Sequence, residues 1–283
     1  MFQRGLPYIW RHPLSRRDRL QATGRYLRWQ PGARLLPWPV AVPWVNGTSL
    51  VITRGMTGAT GNFYCGLHEW PDMAFVLHLL RPADSFADLG ANVGSYTVLA
   101  SGAVGCCSLS FEPAPATFSW LQRNLAFNGL LDQVSAYQAA LGSEPGHLRF
   151  SLDRGPMNQV VGDDYAGHAA GVEVLPIDAI AGLRQAALWK LDVEGHEREV
   201  LRGARQTLAE APPMALLIED RSPDVQSVLL GHGYQACGYD PWTRTITVDP
   251  HARTGNQIWI RDLTWARGRV ASAPCFDVLG LSI

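Results

Sequence analysis

The stretch from Ser85 to Leu99 constrains this chain more than any other part of it. Ser85-Phe86-Ala87-Asp88-Leu89 reads as a buried strand, Gly90-Ala91-Asn92-Val93-Gly94 as a tight glycine turn, and Ser95 onward as a helix. That succession aims backbone N–H groups and the positive end of a helix dipole at a ligand, the usual arrangement for nucleotide binding in doubly wound sheets. Asn92 suits a position of positive φ, which few residues besides glycine visit routinely. A small cofactor is the ligand class expected. The dinucleotide pattern Gly-x-Gly-x-x-Gly fits poorly, because Gly90 and Gly94 stand four apart with Asn92 between them.

What surrounds this stretch alternates. An apolar strand at Cys106–Phe111, a helix at Ala114–Phe127 and a strand at Val134–Ala139 follow the first helix, which is expected to end near Ser101. Later come a strand ending at Asp192, a helix at Glu197–Ala209, a strand at Met214–Ile218 and a helix at Asp224–Leu230. Strands alternating with helices predict a doubly wound, mostly parallel α/β sheet. The segments 233–239, 243–248 and 257–261 read as β, giving an antiparallel C-terminal edge, and 273–283 as a short apolar closing segment. A hairpin of 148–152 with 172–175 is expected around a polar loop carrying Asn158, Asp163 and Asp164. Ahead of the sheet, Asn46-Gly47 between two β-prone runs predicts a β-hairpin. Gly55–Gly66 reads as a glycine-rich connector, and Glu69–Leu80 as a helix with Pro71 near its start. The division expected is a 1–60 extension and a 61–283 main domain.

With 283 residues, 47% hydrophobic and 17% charged, there is ample material for a core. No apolar run reaches membrane-span length and no signal-peptide pattern opens the chain, so the location expected is cytoplasmic. Five cysteines without metal-ligand spacing indicate neither a disulfide framework nor a zinc site. Charge is uneven: residues 1–34 hold eight Arg against Asp18 alone, leaving 16 basic and 24 acidic residues elsewhere. Such an arm suits an anionic membrane surface, a nucleic acid or a phosphorylated acceptor. A solvated or docked arm is the preferred reading, since no regular apolar face accompanies the charge. The acidic remainder argues against a nucleic-acid partner, and the sequence leaves the oligomeric state open.

A second stretch, Lys190-Leu191-Asp192-Val193-Glu194-Gly195-His196-Glu197, ends an apolar strand in ionisable groups. Lys190 is the only lysine among 24 basic residues, so the position asks for a compact ammonium rather than a guanidinium. Strand alternation puts Lys190, Asp192 and Glu194 on one face. Burying three charges there without partners would cost several kcal/mol each, which leaves two readings: a catalytic cluster or a structural ion network.

Taken together, Asp88-Leu89-Gly90-Ala91-Asn92-Val93-Gly94, Phe111-Glu112-Pro113, Asn124 and Asn128, Ala140-Leu141-Gly142, the Lys190–Glu197 stretch and Leu217-Ile218-Glu219 resemble the FkbM family of S-adenosylmethionine-dependent methyltransferases. His196 stands where that family often has Ala. The resemblance implies a class I methyltransferase (Rossmann-like) fold and methylation of a hydroxyl on a sugar, a glycolipid or polysaccharide, or a secondary metabolite. It implies S-adenosylmethionine held by Gly90, Asn92 and Gly94, with Asp88 orienting the turn or the cofactor's amino group, Glu112 on the ribose, and the Ala140-Leu141-Gly142 turn beside adenine. A base is then needed at the acceptor oxygen. Asp192 is the first choice, Glu194, His196 and Glu219 are the others, and Lys190 tunes the carboxylate. A divalent cation such as Mg²⁺ on Asp192, Glu219 and Asp220 is chemically open but not expected. Two other classes share the strand and turn: an NAD-dependent oxidoreductase and a non-catalytic nucleotide-binding protein.

Overall fold

The computed structural model describes residues 5–35, 38–153, 158–162, 164–251 and 255–283; Asp163 of the polar loop lies outside them. The Arg-rich arm forms two helices, α1 (Leu6–Arg11) and α2 (Arg19–Leu35). Asn46 and Gly47 both take positive φ and join β1 (Val40–Pro43) to β2 (Ser49–Ile52) as the expected antiparallel hairpin. The glycine-rich connector is instead a helix, α3 (Thr57–Cys65). Its Gly61 lies against the ring of His68, where a Cβ would come within 2.7 Å, so close packing and not flexibility explains that glycine. α4 (Trp70–Leu79) follows as expected, with Pro71 in its first turn.

The organising unit appears as read. β3 (Ser85–Leu89) runs through the glycine turn into α5 (Ser95–Thr97), which continues as a π-helical stretch to Val104, past the expected end. β4 (Cys107–Phe111), α6 (Pro115–Phe127) and β5 (Val134–Tyr137) complete one half of the winding. β6 (Ala140–Leu141), β7 (Gly146–Ser151) and β8 (Ala169–Leu175) form a separate three-stranded sheet, in which β7 and β8 are the expected hairpin. β9 (Leu188–Leu191) returns to the main sheet. The helix expected over 197–209 is broken into α7 (Glu197–Arg202) and α8 (Arg205–Glu210). At the break a Cβ on Gly203 would overlap the carbonyl oxygen of Gly142.

β10 (Ala215–Ile218), α9 (Pro223–Gly231), β11 (Gln235–Asp240), β12 (Thr245–Val248) and β13 (Gln257–Ile260) follow. A further helix, α10 (Leu263–Ala271), was not expected. It starts on Asp262, whose carboxylate accepts the Trp265 N–H at 2.9 Å, a cap with no apolar periodicity behind it. The tail pairs β14 (Asp277–Val278) with β15 (Leu281–Ser282).

The main sheet has eight strands in the order β12-β11-β13-β10-β9-β3-β4-β5. From β10 to β5 all pairings are parallel, and β13, β11 and β12 make the antiparallel edge. Each face is covered by an apolar layer. One includes Phe75, Phe86, Leu99 and Leu121 together with Leu50 and Ile52 of the hairpin; the other includes Trp189, Leu191, Val200 and Leu216. Burying each such side chain contributes about 2 kcal/mol. Among the described residues no helix is long and apolar enough to cross a membrane. The strand order reverses between β3 and β9, and an open α/β sheet offers its ligand crevice at the carboxyl ends beside that reversal.

Candidate active site

At the reversal the turn after β3 is drawn tight against the end of β9. Gly90 has φ 96°, and a Cβ there would overlap the carbonyl oxygen of Asp192, so only glycine allows the approach. Gly94 has φ 88° and packs on Leu121, while Asn92 takes φ 51° as its position requires. Every N–H from Gly90 to Gly94 is already used. Gly90 and Ala91 donate to the Phe111 carbonyl, Asn92 to Glu112 Oε2 (3.1 Å), Val93 to Asn92 Oδ1 (2.8 Å), and Gly94 to the Ala91 carbonyl.

Below the turn, Asp88 is buried and its Oδ2 accepts from Thr97 Oγ1 at 2.6 Å; Thr97 in turn meets Ser110 Oγ at 2.8 Å. The Asp88–Thr97 hydrogen bond ties the end of β3 to α5 across the turn. Burial pushes the carboxyl of Asp88 upward, against the pull of nearby Lys190. Glu112 is also buried and bridges two segments, accepting from Asn92 N–H and, through Oε1, from Ala114 N–H at 2.9 Å. Burial raises it to about 7 although both N–H groups favour its charge. Each carboxylate oxygen has a second lone pair, which leaves capacity for a ligand hydroxyl.

On the other side of the reversal, Lys190 stands level with Asp88 in the β3–β9 register. Its side chain is only 4% exposed, and Nζ binds Asp192 Oδ2 at 2.7 Å. Burial works against the ammonium, yet Asp192, Asp88 and Glu69 outweigh it and hold it charged. Lys190 Nζ also lies 4.7 Å from the centre of the Tyr96 ring, and Tyr96 donates its hydroxyl to Glu69 Oε2 at 2.6 Å. Asp192 is partly buried, which disfavours its charge, but Lys190 prevails and keeps it below the usual carboxylate range. Glu219, at the end of β10, hydrogen-bonds Asp192; burial and the charge of Asp192 push it up to about 7. One proton shared by that pair therefore rests on Glu219. Glu194 sits in the turn after β9 at φ 52°, raised by burial and by Asp192. Ligand atoms of Asp192, Glu194 and Glu219 all lie within 4.8 Å of one another.

Comparison with known proteins gives the chain a family. The model of the methyltransferase FkbM domain matches residues 88–239, more than half of the chain. This chain belongs to the FkbM methyltransferase domain family. Methyltransferase 1 of Beauveria bassiana (strain ARSEF 2860) is 32% identical over 148 residues, 43% of this chain and 59% of that protein. Methyltransferase sdnD of Sordaria araneosa is 28% identical over 195 residues, 51% of this chain and 75% of its own. The chain thus spans about three fifths of the first of these relatives. Among solved structures, methyltransferase FkbM from Methylobacillus flagellatus KT aligns with a TM-score of 0.44 and 17% identity, over 85% of this chain and 60% of that one.

The FkbM segment holds every site residue singled out from the sequence, but the fold distributes them. Asp88, Gly90, Asn92, Gly94 and Glu112 gather at the turn, while Lys190, Asp192, Glu194 and Glu219 form the ionisable chain. Ala140 and Leu141 are not a turn: they are the short strand β6, paired with β8 and buried. His196 lies on that side too, with Nε2 3.6 Å from where a Cβ on Gly142 would be. Burial keeps its imidazole below the ordinary value, and the charge bearing on it is that of Glu199. Asp220, grouped with Asp192 and Glu219 as a cation ligand, turns instead to Ser222, accepting from its N–H and Oγ at 2.6 and 2.9 Å. Glu194 takes its place in the trio. Tyr96 and Glu69 were missed, because each meets the site through a partner far away in sequence. The lone lysine was the one signal that such a partner was needed. A groove of about 950 Å³ opens at the amino ends of β3 and β4, beside Ser85 and Cys107. It lies at the opposite end of the strands from this chemistry.

Proposed function

We propose that this chain is an S-adenosylmethionine-dependent O-methyltransferase whose acceptor is a hydroxyl of a sugar, a glycolipid or polysaccharide, or a secondary metabolite. The observation that carries the cofactor reading is the saturation of the glycine turn. A dinucleotide's pyrophosphate is cradled by open N–H groups, whereas the five amides from Gly90 to Gly94 are all bonded within the protein. The carboxyl ends of the strands offer acceptors in their place: Glu112, Asp192, Glu194 and Glu219. That set suits a ligand with cationic sulfur and ammonium groups and ribose hydroxyls, and suits a pyrophosphate badly. Bound there, S-adenosylmethionine supplies a methyl group on a sulfonium open to in-line displacement.

The protein's own part is alignment and proton removal. Lys190 keeps Asp192 ionised beside the turn, and Glu219 has the proton affinity that a base needs near neutral pH. The Asp192–Glu219 pair would accept the proton that an acceptor hydroxyl must lose for its oxygen to displace the sulfonium sulfur. Glu112 holds the ribose, and the glycine turn fixes the distance between the two halves. The oxygen-acceptor reading is supported by this paired carboxyl base and by the family resemblance.

Calorimetric titration of the full chain with S-adenosylhomocysteine, beside NADH, tests the cofactor. Micromolar binding of the first and none of the second is expected; the reverse would replace the proposal with an oxidoreductase. Labelled S-adenosylmethionine and a panel of hydroxylated acceptors then test the chemistry. Label should survive mild alkali as an ether, and loss of label as methanol would mean that a carboxylate is methylated instead.

A further inference from the structure

The arm that precedes the FkbM segment has two apolar sides. Towards the body, Ala22, Tyr26 and Trp29 of α2 pack on Phe63, Tyr64 and Cys65 of α3, and Arg25 donates to the Tyr64 carbonyl at 2.9 Å. Away from it, Leu20, Gly24, Leu27, Pro31 and Leu35 recur at i, i+4, i+7, i+11 and i+15, which places them in one stripe along the helix. Leu20 is 87% exposed, Leu27 56% and Leu35 78%, and beyond the helix Trp38 is 69% exposed. With Trp10, these are five of the twelve exposed large hydrophobics among the described residues, all within residues 10–38. Arg19, Arg28 and Arg34 flank the stripe on the helix, and Arg11 and Arg16, ahead of it in the chain, are also exposed. None of the five makes an ion pair among the described residues, and the arm's sole acid, Asp18, is engaged with the N–H of Gln21 at 2.9 Å.

We propose that this outer face of α2, with Trp10 held to it through Thr23 and the exposed Trp38 following it in the chain, docks on an anionic lipid bilayer surface. A bilayer offers both things the face needs, anionic headgroups for the arginines and an apolar interior for the leucines. Tryptophan rings settle at the boundary between the two. A second copy of this chain answers less well, since a two-fold contact through this stripe would set Arg19, Arg28 and Arg34 against their own copies. A nucleic acid would leave the leucines uncovered. The proposal does not depend on the methyl acceptor.

The full chain is sedimented with vesicles of phosphatidylcholine alone or with about 30% phosphatidylglycerol, an anionic content that attracts basic segments. It should pellet with the second and stay in solution with the first. Replacing Leu20→Ser and Leu27→Ser together should weaken binding more than about tenfold, given the apolar area removed. Arg19→Gln, Arg28→Gln and Arg34→Gln should weaken it about fivefold each. None of these side chains belongs to the packed face, so the melting temperature should not change. Wild-type protein left in solution with anionic vesicles overturns the proposal, as does undiminished binding by the leucine variant. A dimer in ultracentrifugation that the leucine variant dissolves would give the face to a second copy.

Discussion

The two sides of the strand reversal hold comparable numbers of carboxyl groups and use them differently. On the β3–β4 side the polar atoms are largely spent within the protein: Asp88 on Thr97, Glu112 on two backbone N–H groups, and the turn amides on carbonyls and carboxylates. On the β9–β10 side Lys190 closes on Asp192, while Glu194 and Glu219 crowd the same space with no ion pair of their own among the described residues. Like charges held together resist ionising together, so this side keeps a proton near neutral pH. One side is therefore shaped to hold position, and the other to change charge.

The largest effect expected from this contrast is chemical. Asp192→Asn should fold and bind S-adenosylhomocysteine yet lose turnover by about a thousandfold, the scale of a general base; a variant that still methylates at speed would move the chemistry to the other side. Gly90→Ala should do the opposite. Its φ of 96° and the overlap with the Asp192 carbonyl should lower stability by about 3 kcal/mol, read by chemical denaturation. Unchanged stability would mean that the turn is not set by packing. Glu112→Ala removes the acceptor of two backbone N–H groups and should cost about 2 kcal/mol of stability as well as affinity for S-adenosylhomocysteine. If only affinity falls, Glu112 belongs with the reactive side. The smallest effect is a slope: Glu219 at about 7 is protonated below that pH and then cannot accept the hydroxyl's proton. Turnover should fall by about tenfold per unit below it and level above it, and Glu219→Gln, neutral at every pH, should leave turnover low and without that limb.

Much of the β3–β4 side was legible in the chain because its cause is local. Glycine spacing, an Asn that takes positive φ and a buried strand together dictate the turn, and the hairpin at Asn46-Gly47 follows from the same kind of rule. The arm and α10 were not legible. Gly24, Pro31 and Gly32 make α2 a poor helix by propensity, and its two opposed apolar sides cancel the periodicity that marks a surface helix. On the β9–β10 side, the cluster of charges was visible but its wiring was not. Alternation stops at Leu191, yet a left-handed turn at Glu194 brings that carboxyl back to Asp192.

The sequence by itself determined the doubly wound sheet, its glycine turn and the place where ionisable groups end the strands, since each follows from neighbours a few residues apart. Only the tertiary structure decided which carboxyl keeps the proton, why the one lysine is charged, and that Tyr96 and Glu69 attend it. Those properties depend on burial and on distances between strands and helices that meet across the sheet, quantities that no local pattern contains.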